Sequence, residues 1–264
     1  MPVLLVIPAR YASGRFPGKA LAELRGVTGE PRSLIRRTWE AAQQVKSVDR
    51  IVVATDDIRI KDTAEEFGAE VIMTSSSCLN GTERCAEALN HFDGFDVVVN
   101  LQGDAPLTPP WFIDDVVAAM QNQNIDMATP VLRCDAAALN GFQEDRENGR
   151  VGGTTVVFDT SGKALYFSKE VLPYTGRRFE PHEDVPVFHH IGVYAYRASA
   201  LRQYPDWNEG KLEHWEGLEQ LRFMENNVPV QCVEVDAKGR AFWELNNPID
   251  IARIEKILSD QGMA

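Results

Sequence analysis

The sequence predicts an α/β fold built on a doubly wound, mostly parallel sheet with a smaller inserted lobe. Three observations predict it. Short apolar, β-branched runs recur at Val3–Ile7, Arg50–Ala54 and Asp96–Leu101. They are continuous rather than alternating, as strands covered on both faces are. Stretches with helical spacing separate them, which is the βαβ rhythm of a parallel sheet. Each run ends in a short polar segment, ARYASGRFPGKA, TDD or QGD, and open α/β sheets bind ligands beyond the carboxyl ends of their strands.

In order, Val3–Ile7 is the first strand, ended by Pro8. Ser33 to Lys46 carries apolar residues at 34, 35, 39, 41, 42 and 45, which predicts a helix with Ser33 as its N-cap. Arg50–Ala54 is the second strand, Asp57–Phe67 a helix stopped by Gly68, and Val71–Met73 a third strand. Thr74–Asn80 reads as a polar loop, Thr82–His91 as a helix and Asp96–Leu101 as the fourth strand. Pro109–Asn122 is a helix, its prolines suited to a first turn.

Beyond residue 126 the pattern changes. Met127–Leu132 and Gly153–Phe158 read as strands, joined by a polar connection over Gln143–Arg150. Asp159–Lys163 (DTSGK) is a hairpin turn into Ala164–Phe167. His190–Tyr196 is an aromatic strand, Leu212–Asn226 a long acidic helix, and Val230–Val235 a strand. Ile249–Leu258 is a closing helix with Asn247 as N-cap and Pro248 at its first position. The division expected is a nucleotide-binding core of residues 1–126 and 230–264, with 127–229 inserted as one continuous lobe.

Composition narrows the function. The 264 residues are long enough for a sizeable core. No apolar run approaches the ~20 residues that span a bilayer, so membrane insertion is not expected. No basic n-region with a small-residue cleavage site opens the chain, so no signal peptide is expected. Cys78, Cys85, Cys134 and Cys232 form no CxxC pair, which points to free thiols in a reducing, cytoplasmic setting and to no zinc site. A net charge of −12 argues against a nucleic-acid surface.

Against that acidic background, Arg10, Arg15 and Lys19 crowd one loop with Gly14, Pro17 and Gly18. A cationic, glycine-rich loop after a buried strand presents N–H groups and charge to phosphates, or is simply an exposed connection. It is neither a P-loop nor GxGxxG, which counts against a dinucleotide-dependent oxidoreductase. Asp104 follows the fourth strand at the QGD turn. Such a residue is a helix cap or, beside a phosphate loop, one of the one or two carboxylates that hold Mg²⁺ with a nucleoside triphosphate.

The motifs VIPARYASGRFPGKAL, VATDD, NGTER, VNLQGDAP, ALYFSK, HHIGVYAYR and LEHWEGLEQLR resemble, collinearly and over nearly the whole chain, those of the 3-deoxy-manno-octulosonate (Kdo) cytidylyltransferases, the CMP-Kdo synthetases of lipopolysaccharide assembly. The resemblance implies a Rossmann-like nucleotidyltransferase and a cytoplasmic homodimer. It implies an enzyme that uses CTP and Mg²⁺, joins CMP to an acidic sugar and releases pyrophosphate. It places Arg10, Arg15 and Lys19 on the triphosphate, with Ala9 and Tyr11 beside them. It places Ser76, Gly81, Thr82 and Arg84 in the base-recognition loop. Gln102, His190, Gly192, Tyr194, Glu213 and Gln220 fall on the sugar side, and Arg10, Lys19 and Asp104 are the catalytic set. The glutamates at 213, 216 and 219 read equally as a solvated helical stripe.

Three departures stand out. Asn246 occupies the position of the family's second metal-binding Asp. An amide oxygen still coordinates Mg²⁺ without adding charge, and Glu244, two residues earlier, is the alternative carboxylate. Arg150–Thr155 replaces a lysine-bearing segment, leaving Arg150 or the glycine-rich backbone to meet the sugar carboxylate. Ala105 stands where Glu is usual. The nucleotide half is thus intact and the acceptor half altered. That keeps an amino-substituted octulosonate or a nonulosonate, and a catalytically weak CTP-binding relative, as alternatives to Kdo.

Overall fold

The computed structural model describes residues 1–264 apart from Ser13, Arg15 and Gly152. The first part of the chain forms β1 (Val3–Ala9), β2 (Glu23–Arg25), β3 (Pro31–Ser33), α1 (Leu34–Ala42), β4 (Arg50–Thr55), α2 (Ile58–Glu66), β5 (Glu70–Met73), α3 (Gly81–Leu89), β6 (Val97–Leu101) and α4 (Pro110–Ala119). There follow β7 (Met127–Arg133), α5 (Ala136–Glu147), β8 (Thr155–Phe158), β9 (Ala164–Ser168), β10 (Phe188–His190) and β11 (Val193–Arg197). The chain continues with α6 (Ala198–Gln203), α7 (Lys211–Glu216), α8 (Leu221–Glu225), β12 (Val230–Val235) and α9 (Asp250–Asp260).

The strand β1 is the axis of the sheet. All seven of its residues are buried. Val3, Leu5 and Ile7 enter one core with residues of α1, α2 and α4. Leu4 and Val6 enter a second core with residues of α3, α6 and α8. Successive side chains of a strand point to opposite faces, so a strand covered on both sides must be apolar throughout. That is why these runs do not alternate.

The sheet order is β5-β4-β1-β6-β11-β7-β10-β8-β9, with β12 also paired to β7. The quartet β5, β4, β1 and β6 is parallel. The strand β11 then runs antiparallel to both β6 and β7, and β12 returns parallel to β7. Residues 127–229 therefore contribute β7 to β11 to the same sheet that residues 1–126 begin. A smaller core of Cys134, Leu139, Phe179, Val185 and Val187 seats α5.

The Ser33 hydroxyl caps α1 by accepting from Arg36 N, and DTSGK forms the β8–β9 turn, with Gly162 N donating to Asp159 O at 2.9 Å. Several expectations need correction. The polar connection over 143–150 is mostly helix: Asp135 accepts from Ala138 N and starts α5, which runs to Glu147 before Gly149 at φ +69°. The long helix over 212–226 is two short ones, α7 and α8, broken at Gly217 in the left-handed region. The strand over 190–196 divides into β10 and β11 at Ile191–Gly192. The closing helix begins at Asp250 rather than beside Asn247, and the Asp250 carboxylate instead accepts from Asn246 N and Asn247 N. The β2–β3 hairpin and α6 had no clear sequence signal.

Candidate active site

The carboxyl ends of β1 and β6 open into a cleft of about 1910 Å³. Two turns form its floor. After β1 the chain reaches Gly18 at φ +72°, which leads into a single 3-10 turn, Lys19–Leu21. After β6 come Gln102, Gly103 and Asp104. A Cβ on Gly103 would lie 2.7 Å from the Pro8 carbonyl oxygen, so only glycine lets the two turns approach this closely. The Thr38 hydroxyl donates to Gly103 O at 3.1 Å and holds the turn from below. The result is a 2.5 Å ion pair between Lys19 Nζ and Asp104 Oδ2.

A third segment joins them. Leu245 N donates to Asp104 O at 3.0 Å. Leu245 itself is buried with Leu24, Leu34 and Ile254, while Glu244 and Asn246 on either side of it line the cleft. Both sequence alternatives for a second metal ligand therefore face the same space as Asp104. Among the described residues no three His, Cys, Asp or Glu side chains gather into a ready-made metal site.

Of the residues expected on the nucleotide side, Ala9, Arg10, Lys19, Gly81 and Arg84 line the cleft. Arg10 reaches Leu79 O at 3.3 Å. Asn80 caps α3, accepting from Glu83 N at 2.9 Å. Arg84 is buried, donating to Thr74 Oγ1 at 2.5 Å and pairing with Asp56 at 3.5 Å. Ser76 is exposed on the preceding loop. Thr82 lies buried behind the wall, with its hydroxyl on Tyr196 Oη at 2.8 Å. Tyr11 packs beneath Arg59, whose guanidinium carbon is 3.4 Å from the ring centroid. Arg15 lies outside the described residues.

On the other side, Gln102, His190, Gly192, Tyr194, Glu213 and Gln220 all line the cleft, but their side chains are not equally available. Gln102 Nε2 donates to Glu219 Oε1 at 2.8 Å, and Thr82 N donates to the other oxygen at 2.8 Å. Burial pushes the Glu219 carboxyl above its ordinary pKa, partly opposed by the Thr82 hydrogen bond. Tyr194 Oη donates to Gln220 Oε1 at 3.2 Å. The Gln220 Nε2 donor, on a residue 1% exposed, has no hydrogen-bond partner among the described residues. His190 Nε2 meets Thr129 Oγ1 at 3.1 Å, and burial lowers its pKa to about 3.

Glu213 is engaged elsewhere. Arg222 donates to both its oxygens at 2.7 Å through Nε and Nη2. Glu216 accepts from Tyr166 Oη, Ser168 Oγ and Lys169 N. The three glutamates thus form no solvated stripe: Glu213 and Glu216 on α7 meet different partners, and Glu219 lies beyond the break at Gly217. Arg150 pairs with Asp145 at 2.8 Å on the surface. Sequence reasoning missed Lys169 and Arg253, which line the cleft. It also missed the aromatic contacts of Phe142 and Phe242 with His189. Lys169 ends the ALYFSK motif and was legible there, whereas the aromatic contacts join residues distant in sequence.

The sequence model of the cytidylyltransferase family matches residues 4–234. The chain is 42% identical over 264 residues to a 3-deoxy-manno-octulosonate cytidylyltransferase of Maricaulis maris, covering 99% of both chains. It is 39% identical to the mitochondrial 3-deoxy-manno-octulosonate cytidylyltransferase of Arabidopsis thaliana, covering 99% of this chain and 85% of that one. Among solved structures, a CMP:2-keto-3-deoxy-manno-octonic acid synthetase complexed with CTP superposes with a TM-score of 0.83 at 30% identity. The match covers 99% of this chain and 100% of the other. With its parallel quartet, its paired loops and these full-length similarities, the chain belongs to the 3-deoxy-manno-octulosonate cytidylyltransferase family.

Proposed function

We propose that this chain transfers CMP from CTP to the anomeric hydroxyl of 3-deoxy-manno-octulosonate, releasing pyrophosphate. The observation that carries the reading is full-length similarity, at a TM-score of 0.83, to a synthetase solved with CTP. The Lys19–Asp104 turn pair at the strand ends supports it.

In this reading Arg10 and Lys19 bind the triphosphate and offset charge on the α-phosphate and the departing pyrophosphate. Arg15 joins them by its place in the sequence. Ala9, Gly81 and the Asn80-capped start of α3 bound the nucleotide. Gln102, His190, Tyr194 and Gln220 orient the sugar acid, and the unpaired Gln220 Nε2 offers a donor to a hydroxyl. The sugar hydroxyl attacks the α-phosphorus in line and pyrophosphate leaves, with no covalent enzyme intermediate. Catalysis is then mainly positioning and charge compensation.

Mg²⁺ is the metal this donor set fits. It takes one or two carboxylates together with phosphates and waters, and Asp104 with Glu244 or Asn246 on the tethered segment offers that set. When bound, Mg²⁺ supplies positive charge to the transferring phosphate. The Lys19–Asp104 pair compensates both charges before the nucleotide arrives, and Lys19 then exchanges the carboxylate for phosphate.

No described helix is long and apolar enough to cross a membrane. We further read the chain as a cytoplasmic homodimer serving lipopolysaccharide synthesis, associating through the 127–229 segment. Leu165 on β9, 61% exposed, and Trp215, 85% exposed, support that surface.

The test is pyrophosphate release from CTP and Mg²⁺ with and without Kdo, and again after chelation. Kdo-dependent, chelator-sensitive release is expected. CTP binding with no release for Kdo, but release for an amino-substituted octulosonate or a nonulosonate, would move the acceptor assignment. CTP binding with no release for any of these acids would make the chain a CTP-binding relative.

A further inference from the structure

The cationic loop after β1 has a neck. Its two ends, Tyr11 and Gly18, are joined by Gly18 N donating to Tyr11 O at 2.9 Å. The ring of Tyr11 also lies against Gly18, where an added Cβ would come within 3.1–3.2 Å of Tyr11 Cε2, Cζ and Oη. Gly18 adopts φ +72°, a conformation costly for any other L-residue. The ring therefore seats the one residue that turns the chain into Lys19. Lys19 Nζ in turn meets Asp104.

The ring packs partly buried against the first core, and a cation from another element stacks on it. Arg59, in the first turn of α2, lays its guanidinium 3.4 Å from the Tyr11 ring centroid. The guanidinium edge is occupied: Nε and Nη2 donate to Asp57 Oδ1 and Oδ2 at 2.9 and 2.6 Å. Asp57 is itself the N-cap of α2, accepting from Arg59 N. A guanidinium whose fork is engaged in its plane leaves its flat face to stack on an aromatic ring. Tyr11 shows no other aromatic or cationic ring contact among the described residues.

We infer that Arg59 is a positioning residue for nucleotide transfer: fixed by Asp57, it presses Tyr11 onto Gly18 and so sets the place of Lys19. Arg59 itself is exposed and does not line the cleft. Its effect reaches the phosphate site only through Tyr11. The VATDD segment, read from sequence as the end of a strand, thereby gains a second task. The Asp that caps α2 also anchors the brace. The inference rests on the reading of this cleft as a CTP site.

The test combines kinetics with amide exchange. Arg59→Ala is expected to lower kcat/KM for CTP about two- to fivefold, the scale of an exposed cation–π contact, with KM for the sugar acid unchanged. In a Tyr11→Ala background, Arg59→Ala should cause no further loss. Arg59→Lys, which keeps the cation but not the fork, should recover part of the activity. Independently of turnover, deuterium exchange at the Gly18 amide should rise about two- to fivefold in Arg59→Ala, because without the stacked guanidinium the neck opens more often. Additive losses in the double variant, an equal rise in both KM values, or unchanged exchange at Gly18 would overturn the brace. If the unaltered protein fails to turn over CTP while Gly18 exchange still rises in Arg59→Ala, the brace stands and the CTP reading falls.

Discussion

Replacing Arg222 by Met tests whether Glu213 is a structural carboxylate or a substrate ligand. The Arg222 side chain is 3% exposed and serves two acids. It donates to both Glu213 oxygens at 2.7 Å and to Glu83 Oε1 at 3.0 Å. It also stacks over Tyr204 at 4.3 Å. Methionine fills similar volume without charge, so the packing loss is small. The two carboxylates, however, lose their cation in a site largely closed to water. Removing one partner of a buried ion pair costs about 3–5 kcal/mol. At about 2–4 °C per kcal/mol for a chain of roughly this size, the midpoint should fall by about 6–20 °C. Urea denaturation followed by tryptophan fluorescence reads the free-energy loss and a thermal melt reads the midpoint, since Trp207 packs edge-on to Phe223 beside the cluster. Adding Glu213→Leu to Arg222→Met should restore part of the loss, because two apolar groups replace an orphaned charge. A loss under about 1 kcal/mol, or no recovery in the double variant, would refute the reasoning. Glu213 would then be independent of Arg222 and available to a substrate hydroxyl.

Three further outcomes are expected. Gly103→Ala places a Cβ 2.7 Å from the Pro8 carbonyl. It should cost about 1–3 kcal/mol through overpacking, measured by denaturation, and lower turnover by separating Lys19 from Asp104. Asp104→Ala and Lys19→Ala should each reduce pyrophosphate release about 10²–10³-fold while far-ultraviolet circular dichroism stays that of the folded protein. Full activity in Asp104→Ala would end the proposed mechanism. Stability should also fall in mild acid. Burial lowers the pKa of His189 to about 4 and of His190 to about 3, whereas in the unfolded chain both titrate near 6.5. As pH falls below about 6.5, the unfolded chain takes up protons that the folded chain refuses. Stability is therefore lost down to about pH 4 for His189 and about pH 3 for His190, by up to about 1.4 kcal/mol per pH unit for each. His190→Gln should flatten part of that slope in urea titrations between pH 7 and 5.

The sequence by itself determined the parallel half of this protein and the ends of its strands. Val3–Ala9 and Val97–Leu101 are apolar at nearly every buried position because both faces are covered, and that pattern is the mark of a strand inside a parallel sheet. The turn residues after them were equally legible. Gly18, Lys19, Gly103 and Asp104 act where they sit in the chain, next to the strand that delivers them. Tertiary structure alone decided what depends on distant partners. The glutamates at 213, 216 and 219 look alike in sequence, yet Arg222, the β9 end and the Thr82–Gln102 pair claim them separately. Tyr11 sits in the loop after β1, but Arg59, 48 positions away, stacks on its ring. Glu244 and Asn246 share the cleft with Asp104 because Leu245 N finds the Asp104 carbonyl across the fold. Local pattern records burial and backbone conformation. Which polar group meets which is set by packing between segments far apart in sequence.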